Sequence, residues 1–448
     1  MSEPRNKSLI QSQDQSQTWT RRDIGRMAAL TGAAGVINLL SPSQQGWALS
    51  KKEMAANRKE QASVNGVNSL RAHASAVGMM TGCAVVPERL DLSPGTVDPY
   101  TRTVIEQSDI LVAENAMKWA SMRPSATTFD FSPADRLFDF AGRNGQLVRG
   151  HNLCWHEQLP SWFQTTATRA NARQLLTEHI QAVAGRYAGR VHSWDVVNEA
   201  VHVPDGRADG LRKSPWLNLI GPGYVELAFA TAAKADPQAR LTYNDYDIEL
   251  DTPEQTVKRA QVLMLVRRLK ARGIPIHAIG IQSHLQANRP RPGAGIVSMI
   301  RSAAELGLEV YITELDVNTH ALPGGPELQD GAVAEVYKLY LDLLLREPNV
   351  KAVLTWGITD RYTWLNQIKQ PWTQRADGAR QRPLPFDDDY APAPAFFAMR
   401  NAYDTARSSI TPADMMAPNG AAPKSGENPF APFAVPGSPG PVPPSPKS

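Results

Sequence analysis

The middle of the chain alternates two apolar patterns. Short runs of aliphatic and β-branched residues recur at Gly78–Val86, Ile110–Ala113, Leu147–His151, Ser193–Val197, Arg240–Asn244, Ala278–Gln282, Val310–Thr313 and Val353–Trp356. Each is short enough for a strand buried on both faces. Longer segments with helical spacing separate them, among them Ala172–Tyr187 and Pro253–Arg272. Eight strands alternating with helices predict a parallel sheet, and eight is the number that closes a barrel. The predicted fold class is therefore α/β, a (β/α)8 TIM barrel. An open doubly wound sheet is the runner-up, but it usually carries a Gly-rich phosphate loop after its first strand. Neither G-x-G-x-x-G nor a P-loop occurs in this chain.

Outside this alternation the chain changes character. Residues 1–50 run from a Gln- and Ser-rich stretch through Thr20-Arg21-Arg22-Asp23 to a weakly apolar segment, Met27–Leu40, and then to Gly46-Trp47-Ala48. Charged region, apolar region and small-residue site, in that order, describe an export signal. The arginine pair resembles that of a twin-arginine signal, which predicts an exported, periplasmic or secreted protein. Residues 411–448 hold 11 prolines and too little apolar surface to fold, so a solvated tail is expected. The catalytic domain is expected over 51–410.

Composition removes several functions. The 47 Lys and Arg against 44 Asp and Glu give a net charge of +3, without the basic excess of a nucleic-acid binder. No apolar run reaches the ~18 residues of a spanning helix. Two cysteines, Cys83 and Cys154, rule out a multi-cysteine metal centre or disulfide scaffold. They fall near strands one and three, which are not neighbours, and are expected to be unbridged core thiols.

Polar and aromatic residues gather where the predicted strands end, the face on which barrel active sites form. Strand two leads into Glu114, Asn115 and Lys118; strand three into His151, Trp155, His156 and Gln158. Strand four ends in Asn198-Glu199, strand five in Asn244 and Tyr246, and strand six in Gln282 and His284. Strand seven carries Glu314 and Asp316, and strand eight Trp356, with Trp364 beyond it. Any one cluster could be a helix cap or a loop salt bridge; seven at equivalent places point to a site. Glu199 and Glu314 lie across the barrel mouth, and glycoside hydrolysis needs such a carboxyl pair. Trp155, Trp356 and Trp364 can stack on sugar faces. A metal is the competing use for His151, His156 and His284, but their spacing is not that of H-E-x-x-H, and neither metal nor other cofactor is expected.

The ordered segments Glu114–Trp119 (ENAMKW), His151–Pro160 (HNLCWHEQLP), Trp194–Glu199 (WDVVNE), Asn244–Tyr246 (NDY), Gln282–His284 (QSH), Thr313–Asp316 (TELD), Trp356–Trp364 (WGITDRYTW) and Arg382–Pro394 (RPLPFDDDYAPAP) resemble the glycoside hydrolase family 10 endo-β-1,4-xylanases. The resemblance runs from about Ala76 to Tyr403. It implies retaining hydrolysis of xylan and xylo-oligosaccharides, with Glu199 as general acid/base and Glu314 as nucleophile. Retaining enzymes hold the two carboxyls about 5–5.5 Å apart. His284 is then the partner of Glu314, with Asp316 holding that histidine, and Asn198 reaches the sugar 2-hydroxyl. A charged Glu314 is expected to raise Glu199. Glu114, Asn115 and Lys118, with Gln158 and Trp356, grip the non-reducing side. His151 and Trp155 line the subsite of cleavage, Trp364 closes over it, and Asn244 and Tyr246 serve the leaving group. Cys154 stands where the family usually has an aliphatic residue, and Thr363 where serine is common.

Two rival readings use the same residues: a related retaining barrel glycosidase acting on β-1,4-glucan, and a carbohydrate-binding protein without catalysis. The export signal raises a redox passenger, for which no cofactor fingerprint exists. A monomer with no nucleic-acid partner and no membrane span is expected.

Overall fold

The computed structural model describes residues 64–93 and 97–409. The export signal and the Pro-rich tail expected at 1–50 and 411–448 lie outside the described residues. Strands β1 (Met80–Val85), β2 (Ile110–Ala113), β3 (Leu147–His151), β4 (Ser193–Asn198), β5 (Arg240–Asp245) and β6 (Ala278–Ile281) pair in sequence, all parallel. The order then closes through β8 (Glu309–Asn318) and β9 (Val350–Thr355), because β6 pairs with β8 and β1 with β9. The eight expected strands thus form the expected closed barrel.

Strand alternation sorts the apolar residues into two cores. Met80, Ala84, Ile110, Val112, Ala278, Tyr311, Ala352 and Leu354 cluster together within the barrel. Their neighbours Cys83, Val85, Leu111, Ala113 and Val353 join the larger core shared with the helices. Packing is close enough to dictate a glycine: a Cβ on Gly150 would come within 2.1 Å of the Trp194 ring. Trp194 is fully buried and donates its indole N–H to Asp236 at 3.0 Å. The helix Pro253–Ala271 starts where Thr252 accepts from the Gln255 amide and Pro253 fills the first turn. Both cysteines are free and buried, and burial pushes the Cys83 thiol up to about 12, as fits core thiols. No described helix is long and apolar enough to cross a membrane.

Three strand predictions are corrected. The first strand begins at Met80 rather than Gly78, and the last is Val350–Thr355, which leaves Trp356 just past its end. The seventh barrel strand extends to Asn318, and a short β7 (His284–Gln286) pairs with that extension, His284 beside Asp316. The polar residues of the extension had hidden it. On β8, Leu315 and Val317 point into the helix-side core, so Glu314 and Asp316 share the opposite face.

Candidate active site

The barrel interior is apolar on one side only. From β3, Arg149 reaches across to β4 and pairs with Asp195, both only 1% exposed. The other Asp195 oxygen lies 3.0 Å from His151 Nδ1, so that nitrogen donates. Arg149 also caps the Tyr311 ring at 5.3 Å. This pair orients His151 at the floor of the site.

Glu314 has a donor on each oxygen. Asn244 Nδ2 donates to Oε1 at 2.8 Å, and His284 Nε2 lies 3.2 Å from Oε2. His284 Nδ1 is in turn 2.9 Å from Asp316, whose second oxygen accepts from the Trp364 indole at 2.7 Å. Burial disfavours a charged His284, but Asp316 and then Glu314 outweigh it and lift its pKa well above the ordinary histidine range. Burial would likewise raise Glu314; the His284 hydrogen bond, the His151 and His284 charges and the Asn244 donor bring it down to about 2. Glu314 is therefore a carboxylate throughout the neutral range.

Glu199 follows β4 with a φ of 58°, a left-handed backbone that is uncommon for a side chain this size. Its amide donates to the Asn244 carbonyl at 2.8 Å, and its carbonyl accepts from Arg212 at the same distance. Only Oε1 is hydrogen-bonded, by Gln282 at 2.9 Å and Asn198 at 3.1 Å. Oε2 lies 4.0 Å from His156 Nδ1, too far for a hydrogen bond. Trp155 Nε1 is near enough to lower Glu199, yet it is buried and closes no hydrogen bond. Burial is the main cause of a raised pKa here, and the Asp245 charge adds to it against Gln282, Trp155 and His156. The expected rise is present, with desolvation its leading cause and the Asp245 charge a further one.

Two buried amides in series, Asn244 and Asn198, join the two carboxyls. Asn244 Nδ2 donates to both Glu314 and Asn198 Oδ1, the latter at 2.9 Å, while Asn244 Oδ1 accepts from Thr313 at 2.8 Å. With no exposure and both ends engaged, Asn244 cannot touch a leaving group. Its expected role there gives way to positioning.

The remaining predicted residues frame a cleft on either side of this pair. On one side Lys118 Nζ donates to Asn115 at 3.0 Å and lies over the Trp155 and Trp356 rings at 5.1 and 5.8 Å. Burial lowers Lys118 and raises Glu114. Trp356 stands edge-on to His151 at 5.3 Å. Gln158 is exposed at the rim, with its carbonyl accepting from the Ala120 amide. On the other side a groove of about 460 Å³ starts at His284 and is lined by Tyr246, Lys258, Gln286 and Arg289. Tyr246 is held there by Arg212 at 2.9 Å and by Lys258 Nζ, 3.7 Å above its ring. Among the described residues no group of three His, Cys, Asp or Glu side chains could hold a metal.

Sequence reasoning missed Arg149, Asp195, Arg212 and Thr313 as supports. Charges in the middle of the strands Leu147–His151 and Ser193–Val197 were available signals, for Arg149 and Asp195.

A family model described as glycosyl hydrolase family 10 matches residues 69–402. The chain is 38% identical over 308 residues to a beta-1,4-xylanase of Dictyoglomus thermophilum, covering 66% of this chain and 83% of that protein. It is 36% identical over 304 residues to endo-1,4-beta-xylanase B of Thermotoga neapolitana, covering 68% and 83%. Among solved structures, native xylanase 10B of Thermotoga maritima superposes with a TM-score of 0.68 at 34% identity, over 76% of this chain and all of that one. Xylanase 10B of Thermotoga petrophila in complex with xylobiose gives 0.67 at 33% identity, over 76% and 98%.

Proposed function

The chain belongs to glycosyl hydrolase family 10, and from that premise we propose how its residues divide the reaction. The activity is that of an endo-1,4-β-xylanase, which hydrolyses β-1,4-xylosidic linkages within xylan and retains the anomeric configuration. Glu314 is the nucleophile and Glu199 the general acid/base. The observation that carries these roles is the opposite displacement of two buried carboxyls, Glu314 down to about 2 and Glu199 upward.

In the first step Glu199 gives its proton to the glycosidic oxygen as Glu314 attacks C1. The bond from C1 to the leaving oxygen breaks, and a glycosyl ester forms on Glu314. In the second, Glu199, now a carboxylate, takes a proton from water whose oxygen attacks C1, and the ester bond breaks. Glu314 is neutral while esterified, which favours the ionised Glu199 that this step needs. Two inversions at C1 leave the configuration unchanged. Asn198 reaches the 2-hydroxyl, and His151 and Trp155 line the subsite of cleavage. Glu114, Asn115, Lys118, Gln158 and Trp356 hold the non-reducing side; Tyr246 faces the leaving group.

The experiment is hydrolysis of xylan and carboxymethylcellulose side by side, with the anomer of the first product followed by NMR. Faster release from cellulose would overturn the substrate, and an inverted first product the roles. Export by the twin-arginine route is supported by Arg21-Arg22 ahead of an apolar segment. Changing both to Lys should hold the protein inside the cell; undiminished export would refute that route.

A further inference from the structure

Trp372 is the only aromatic side chain among the described residues that is exposed, at 46%. The other large exposed apolar residues are not aromatic: Val257 and Met264 on the helix Pro253–Ala271, Leu339 on the helix Pro326–Leu344, and Val67 near the start. Single exposed apolar residues of that kind are ordinary. Trp372 differs because its backbone is fixed next to the site. Asn318, the last residue of β8, donates to its carbonyl at 2.9 Å. Gln381 donates to the next carbonyl, of Thr373, at 2.7 Å and accepts from the Thr319 amide at 2.7 Å. Arg375, only 6% exposed, ties the same loop to the Thr319 and Leu322 carbonyls at 2.8 Å each. An anchored loop presents a large apolar ring to water.

That ring continues a line of rings from the nucleophile. Trp364 lies 5.1 Å from His284, and Trp372 lies 5.6 Å from Trp364 at 59°. Each step is comparable with the length of one pyranose residue. Asn318 pairs in register with Gln286, which lines the groove beyond the cleavage point, so Trp372 stands at that end of the cleft. We infer that Trp372 is a stacking platform for a xylose residue of the leaving-group portion of the chain, a specificity contact beyond the bond that is cut. The inference rests on the xylanase roles proposed above. An indole face buries sugar C–H surface without requiring a hydroxymethyl group or a charge.

The test compares Trp372→Ala and Trp372→Phe in the full-length enzyme on two substrates. On xylohexaose, Trp372→Ala should lose about tenfold in kcat/KM, mostly through KM, the upper end of what one aromatic contact is worth. Trp372→Phe should recover most of that. On an aryl xylobioside, whose leaving group ends short of the platform, both variants should match the unsubstituted enzyme. Equal loss on both substrates would overturn the inference, because Trp372 would then act by supporting Trp364 and, through Asp316, His284. No loss on xylohexaose would overturn it as well. An unsubstituted enzyme inactive on both would instead refute the parent reading, and this inference with it.

Discussion

The ends of β4 and β8 pose one electrostatic problem and solve it in opposite ways. Glu199 and Glu314 are 9% and 5% exposed, so burial pushes both toward the neutral acid. At β8 a charged histidine, itself held by Asp316, and an asparagine N–H reverse that push, leaving Glu314 at about 2. At β4 the donors are neutral amides on one oxygen only, and Glu199 stays raised. Burial therefore does not assign the roles. The charge and placement of the donors do, and they can be removed one at a time.

The largest effect is expected from Glu314→Ala, which removes the attacking atom: a loss on the order of 10⁶ in kcat on every substrate, as for a deleted nucleophile elsewhere. Glu199→Ala should cost roughly 10²–10⁴ on xylan, the usual contribution of a positioned acid. It should spare the first step for a dinitrophenyl xylobioside, whose leaving group needs no proton; equal losses on that substrate would erase the contrast.

His284→Gln keeps a donor near Glu314 but removes the charge. The sign follows: Glu314 must be ionised to attack, so raising it moves the acidic limb of kcat/KM to higher pH from about 2. The pH–rate profile checks this, and an unmoved acidic limb would show that the histidine charge is not what holds Glu314 down. The smallest effect is expected from Gln282→Leu, which takes one N–H from Glu199 Oε1. With less to oppose burial, Glu199 rises further and the alkaline limb moves up, while the acidic limb stays in place. Both limbs belong to the coupled pair, so it is the one-sided movement that is diagnostic.

Much of this contrast was legible in the chain because a barrel concentrates function at strand ends. Runs such as Ile110–Ala113 are apolar throughout and stop abruptly at polar residues, and the strands end there. Both carboxyls, His284 with Asp316, and the tryptophans could be placed from those junctions. What stayed hidden depends on contacts between separate loops. Arg212 lies 13 residues beyond Glu199, yet bonds its carbonyl and the Tyr246 hydroxyl together. Asn244 looks from sequence like any polar residue at a strand end; only three-dimensional packing links it to Glu314 and, through Asn198, to Glu199. The Trp372 loop has no periodic pattern to read, since Arg375 and Gln381 organise it by bonding Thr319 and Leu322, far away in the chain.

The most direct measurement follows the covalent step itself. Glu199→Ala, mixed rapidly with dinitrophenyl xylobioside and digested, should carry one added xylobiosyl mass on the peptide containing Glu314, formed in a burst equal to the enzyme present. An adduct on another peptide, or steady turnover without any adduct, would contradict the division of roles between the two carboxyls.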